Sequence, residues 1–170
     1  MTKDIHVTPN QHYAQKLFFK DFGAAVKSAE IDGGHVFPRT GDRSTNYDAA
    51  GKILGYFYES VFKEELKPPF EDGPHDKNDA TWEKHGQLLE FDQKEFKAEG
   101  LQETGFVFIP QECSRGETIC HVHMFLHSCG GGSQESVIEN GARYWGKYAA
   151  SNQNLILLFP LAEKCWDTTG

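Results

Sequence analysis

Long apolar runs are missing from this chain. The longest is about six residues, whereas a membrane-crossing helix needs roughly twenty, so no membrane span is expected. Positive charge is also scarce. There are 17 Lys and Arg against 25 Asp and Glu, a formal net charge of −8, and no basic stripe is visible. An acidic surface repels a phosphate backbone, which argues against nucleic acid as a partner. The first ten residues are polar and hold no apolar core of a signal peptide. Four cysteines are modest for 170 residues, and their positions say more than their number. No internal repeat is visible. Hydrophobic residues make up 38% and charged residues 25%, which is a globular balance, and the length suits one domain with a core of its own.

The most informative stretch runs from Gly105 to Gly132. Two apolar runs, Phe106–Ile109 and Val122–Leu126, read as buried strands. Between them lies a polar loop with a cysteine at each edge, Cys113 and Cys120. The second run ends in His127-Ser128-Cys129 and then Gly130, Gly131 and Gly132. A buried strand that stops at a glycine-rich turn presents bare backbone N–H groups at the edge of a sheet. Donors so placed can serve as an oxyanion hole, aimed at charge that develops during acyl transfer.

The rest of the chain supplies the other elements of an α/β pattern. Tyr13, Leu17 and Phe18 repeat at helical spacing after Pro9, and Gly23 ends that helix. A short strand is expected at about Ser28–Ile31. A second helix runs from about Asn46 to Phe62, with Ile53, Leu54, Phe57, Val61 and Phe62 as its expected buried stripe. Residues 66–83 form a polar loop holding Pro68, Pro69 and Pro74. Gly86–Phe91 resumes an extended pattern. A helix capped by Ser133 or Ser136 runs through Tyr148-Ala149-Ala150, and Leu155–Phe159 is a last buried strand. Strand, helix and strand with short joins read as a βαβ unit, hence a parallel sheet with helices on its faces. Phe18, Phe57, Phe106, Phe108 and Phe159 sit at core spacings.

Several residues carry chemistry in more than one reading. His121, His123 and His127 alternate along one strand face, and H-x-H is a ligand spacing for zinc. No further ligand is marked nearby, so the alternative is three histidines lining a strand end. Cys113 and Cys120 are either two free thiols or a short bridge. Cys129 offers its backbone N–H to an oxyanion hole, pairs through sulfur with Cys165 if their strands are neighbours, or acts as a thiol nucleophile with His127 or His35. None of the eight serines lies in a Gly-x-Ser-x-Gly turn.

The order of these features resembles the polyhydroxyalkanoate (poly-3-hydroxybutyrate) depolymerases. That family carries C…C-x-H-V-x-x-H-G-C, then a buried strand ending in Pro, then G-C-W-D. The counterparts here are Cys113, Cys120, His123, His127-Ser128-Cys129, Pro160 and Cys165-Trp166-Asp167. Upstream, Gly86–Phe96 is similar to the family's G-x-L-x-x-F-D-Q-x-x-F, Asn46–Tyr56 to its Y-D-A-A-G-x-x-L helix, Gly34–Pro38 to G-H-x-F-P, and Lys3–Pro9 to its D-x-x-V-x-P opening. Two departures stand out. Ser128 replaces a family Gly, and Thr168-Thr169-Gly170 replaces a Trp-rich continuation.

The resemblance implies a three-layer α/β-hydrolase-like domain, with a mostly parallel sheet and helices on both faces, incomplete over residues 1–170. It implies Asp4 as the acid that orients His35, His35 as general base, the Cys129 N–H as oxyanion donor and Trp166 as a substrate-side aromatic. It favours bridging of Cys113 to Cys120, which implies an oxidising compartment and secretion of the full-length protein. The substrate would be a polyester or small hydroxyacid ester, with no metal and no cofactor. The family's nucleophilic Ser motif precedes all of these segments. The chain is therefore expected to be a fragment that is inactive alone, the alternative being a non-catalytic binding module of the same fold.

Overall fold

Leu155–Phe159 alternates between buried and half-buried residues, as a strand does when one face lies against a helical layer. In a computed structural model of the chain, Leu155, Leu157 and Phe159 are almost completely buried, and so are Phe106 and Phe108 of the neighbouring strand. The structure describes residues 9–21, 23, 29, 31, 37, 46–74, 78–127 and 134–163. The chain divides into two compact units, Met1–Ile53 and Leu54–Gly170.

In the first unit α1 spans Pro9–Asp21. Proline suits a first helical position, where its missing N–H leaves nothing unsatisfied. Gly23 adopts a φ of 71° and its N–H reaches the carbonyl of Lys20 at 2.9 Å, a glycine exit from the helix. The apolar spacing of α1 does not translate into burial. Tyr13, Leu17, Phe18 and Phe19 are all exposed, Tyr13 by 65%. The strand expected at 28–31 lies largely outside the described residues. α2 (Ala49–Phe57) starts where the Asp48 carboxylate accepts the Gly51 N–H at 2.9 Å, a standard N-cap.

α2 passes into a π-helical turn, Tyr58–Phe62, that ends at Lys63 in a left-handed conformation. A π turn holds more residues than an α turn and so rotates the side chains that follow. Leu54 and Tyr58, four apart, point inward, while Ile53, Phe57 and Val61 are exposed. The expected stripe thus fails already within α2, at Ile53 and Phe57, before the π turn begins.

The second unit holds the sheet. Its described strands are β1 (Gly86–Asp92), β2 (Thr104–Pro110), β3 (His121–Met124) and β4 (Leu155–Phe159). Their spatial order is β1-β2-β4-β3. β1 pairs antiparallel with β2, β2 antiparallel with β4, and β3 parallel with β4. The α/β class holds, but these strands form a mixed sheet rather than a mostly parallel one. Parallel neighbours need a long crossover. The β3–β4 connection supplies one through α5 (Gln134–Gly141), a π turn (Ala142–Gly146) and α6 (Lys147–Asn152). The β1–β2 connection is only a short 3-10 turn, Gln93–Phe96, and a loop.

Ile138, Ala142, Trp145 and Ala149 of that crossover are buried. The stretch read as a surface loop is mostly exposed, but it is strapped to α6. The Asn152 carboxamide accepts the Lys67 N–H at 2.8 Å and donates to the Lys67 carbonyl at 3.3 Å. The Phe70 N–H reaches the Lys147 carbonyl at 3.2 Å. The end of this stretch is helical, α3 (Thr81–His85), and buries Trp82. Among the described residues no helix is long and apolar enough to cross a membrane.

Candidate active-site edge

The parallel register of β3 and β4 brings their carboxyl ends level. Met124 lies opposite Leu158, and the Phe125 N–H continues the ladder to the Leu158 carbonyl at 2.9 Å. Beyond that point the ladder stops and side chains take over. The buried His127 ring accepts the Ala162 N–H through Nε2 at 3.0 Å. A bond accepted at Nε2 requires the tautomer with its hydrogen on Nδ1. Cys129 follows His127 by two positions and Cys165 follows Ala162 by three. The segments leading to both cysteines thus leave from one place, the carboxyl edge of the parallel pair. In open α/β sheets ligands bind outside this edge.

The three histidines that invited a metal reading have separate partners. His121 stacks on Phe62, ring centroids 3.5 Å apart, and its Nε2 lies 3.2 Å from the Glu64 carboxylate. His123 packs against Trp145 with centroids 4.1 Å apart, and burial pushes its pKa down to about 4. His127 holds Ala162. They do share one strand face, since Val122, Met124 and Leu126 between them are exposed. Among the described residues no three His, Cys, Asp or Glu side chains form a metal-binding group.

At the opposite end of the strands, the Tyr58 hydroxyl donates to Asn154 Oδ1 at 2.7 Å, and Asn154 Nδ2 donates to Glu64 at 2.8 Å. Burial, with Glu64 nearby, raises the Tyr58 pKa. A cavity of about 280 Å³ opens here beside Glu64, Glu65 and Glu112. It sits at the amino ends of β3 and β4, the wrong end for the expected chemistry.

Cys113 and Cys120 form a disulfide with Cα atoms 5.9 Å apart, within the usual span of such bridges. Asp4, His35, Cys129, Cys165 and Trp166 lie outside the described residues, as does Ser128. A residue not singled out in the sequence proves central to this edge. Gln93, 1% exposed, donates through Nε2 to the carbonyls of Gln102 and Leu161, both at 2.9 Å, and accepts the Leu161 N–H at 3.0 Å. It falls inside the Gly86–Phe96 stretch, but nothing in the local sequence marks it as a site residue.

No family model matches the sequence. A polyhydroxybutyrate depolymerase of Talaromyces funiculosus is 32% identical over 123 residues, which cover 69% of this chain and 30% of that protein. The crystal structure of a PHB depolymerase from Penicillium funiculosum matches with a TM-score of 0.71 and 26% identity, over 95% of this chain and 52% of that one. A second structure, a serine-to-alanine PHB depolymerase complexed with R3HB trimer, matches with a TM-score of 0.67 and 27% identity over the same shares. The chain thus spans about half the length of the solved relatives and less than a third of the curated one. Sequence and fold agree on one assignment: the chain belongs to the polyhydroxybutyrate depolymerase family.

Proposed function

We propose that this chain contributes the acid, the base and the oxyanion edge of a serine-type esterase acting on a polyhydroxyalkanoate or a related hydroxyacid ester. The observation that carries this reading is the shared carboxyl edge of β3 and β4, tied by the His127–Ala162 hydrogen bond, from which the segments holding Cys129 and Trp166 depart. The relative complexed with R3HB trimer supports the substrate class.

In this mechanism a serine outside these 170 residues attacks the ester carbonyl. His35 takes its proton and returns it to the leaving alcohol, while Asp4 holds the His35 tautomer. The Cys129 N–H stabilises the tetrahedral oxyanion, and Trp166 faces the substrate. The Cys113–Cys120 bridge supports an oxidising compartment, hence secretion of the full-length protein.

No serine of the chain sits in a Gly-x-Ser-x-Gly turn, so the chain alone is expected to bind ester and not turn it over. That same fact favours a second reading, a binding module that keeps the fold without catalysis. The test is p-nitrophenyl butyrate hydrolysis by the purified chain, compared with its His35→Ala variant. Equal background rates are expected. Turnover lost in Cys129→Ser would replace this mechanism with a thiol one.

A further inference from the structure

Leu161 and Ala162 lie just past the end of β4, and both are buried. Beyond the β4 ladder, Ala162 keeps one isolated antiparallel bridge to Leu101, closed by backbone bonds from Gln102 to Leu161 and from Glu163 to Gly100. Three side chains join that bridge. Gln93, at the end of β1, takes both the N–H and the carbonyl of Leu161. Gln102, in the β1–β2 connection, donates through its carboxamide to the Ala162 carbonyl at 3.1 Å, and its own N–H reaches the Leu161 carbonyl at 2.9 Å. His127, beyond β3, takes the Ala162 N–H. Gly105 makes room for this arrangement, since a Cβ there would lie 2.8 Å from Gln93 Oε1. Two of the three side chains, Gln93 and His127, are themselves buried.

Buried polar side chains are held this way where geometry matters, because each unmet group carries a desolvation penalty. Here all of them converge on one dipeptide whose backbone pairing is a single bridge. Ala162 is held from the β1–β2 connection on one side and from just beyond β3 on the other. The sequence runs on from His127 toward Cys129 and from Ala162 toward Trp166.

We infer that Gln93 and His127 are positioning residues that clamp Leu161–Ala162 as one unit and so set the spacing between the two segments leaving the carboxyl edge of β3 and β4. Neither touches substrate. The part of this role that concerns ester binding rests on the function proposed above; the clamp itself does not.

The test measures backbone amide exchange by NMR in the 170-residue chain, together with a shift titration using R3HB trimer. His127→Phe removes the acceptor but keeps a ring. His127→Gln restores an acceptor near the Nε2 position. In His127→Phe the Ala162 amide should exchange about tenfold faster, the scale of one lost hydrogen bond. The Leu161 amide, which His127 does not touch, should follow it, while Leu157 and Phe108 in the sheet stay protected. His127→Gln should bring both amides back. If His127→Phe does not fold, Gln93→Glu serves in its place: it still accepts from Leu161 but cannot donate to the carbonyls, and it should speed Ala162 exchange from the other side. Trimer affinity should fall several-fold in His127→Phe and recover in His127→Gln. Independent exchange at Leu161 and Ala162 overturns the inference, and so does unchanged trimer affinity in His127→Phe. Coupled exchange in a wild-type chain that binds no trimer upholds the clamp and removes the proposed function instead.

Discussion

Gly141 has no room for a side chain because Phe159 occupies the space. A Cβ at Gly141 would stand 2.1 Å from the Phe159 ring edge. The helix after β3 therefore lies with its backbone directly on the last strand. Gly141→Ala is expected to destabilise the chain by about 2 kcal/mol, since overpacking outweighs the gain in helix propensity. The check is urea unfolding of the variant. A stability equal to or above that of the parent would show that the ring gives way freely.

His123 sets a pH dependence. Its pKa is about 4 in the fold against an ordinary 6.5, because burial beside Trp145 disfavours the charged ring. The unfolded chain therefore binds this proton first as pH falls. The stabilising contribution is complete above about pH 6.5 and is lost between there and about pH 4, to a total of roughly 3 kcal/mol. His123→Phe cannot titrate and keeps a ring against Trp145. The stability difference between pH 7.5 and pH 4.5 should be smaller in the variant by most of that amount. Identical losses in both proteins would mean that His123 does not carry the effect.

The Cys113–Cys120 bridge closes a loop of seven steps. Replacing both cysteines with serine should cost about 2–3 kcal/mol by chain-entropy arithmetic. Denaturant midpoints of the double variant, measured beside the parent with and without reductant, check this. Reductant should lower the parent to the level of the variant.

Asn152 holds the strap of residues 66–74 against α6 through both its carboxamide atoms, and it also donates to the Tyr148 carbonyl at 2.7 Å. Asn152→Ala leaves the Lys67 N–H without its partner, at a cost of about 1–3 kcal/mol. The larger sign should be local. Limited proteolysis should cut within 66–74 in the variant while the sheet strands stay intact. A cleavage pattern like the parent's would mean that the bonds from Lys147 to Phe70 and Glu71 hold the strap without Asn152.

The parallel pairing of β3 and β4 was legible because a strand, a helical stretch and another apolar strand follow one another with short joins, and chain handedness leaves few alternatives. The antiparallel neighbours were not. β2 and β3 are close in sequence, yet β4 lies between them, and nothing in local periodicity reports a partner almost fifty residues away. Leu17 and Phe18 show the opposite failure, a helical apolar stripe that the fold leaves exposed. The expected α2 stripe narrows to Leu54 and Tyr58, because Ile53 and Phe57 are already exposed ahead of the π turn. Gln93 was invisible as a site residue because glutamine is ordinarily a surface side chain; only its partners reveal its work.

The insertion of β4 between β2 and β3 constrains when the sheet can form. β1 and β2 are near in sequence and can meet as soon as both exist. β2 and β3 cannot complete each other, because the space between them belongs to a strand made later. Among the described strands, two edges wait open during synthesis, and β3 has no partner until Phe159 has been released. Open edges of apolar strands invite pairing with other chains. For this sheet the vulnerable interval thus lies in the crossover of residues 125–154, while the ribosome is still delivering the helices that precede β4.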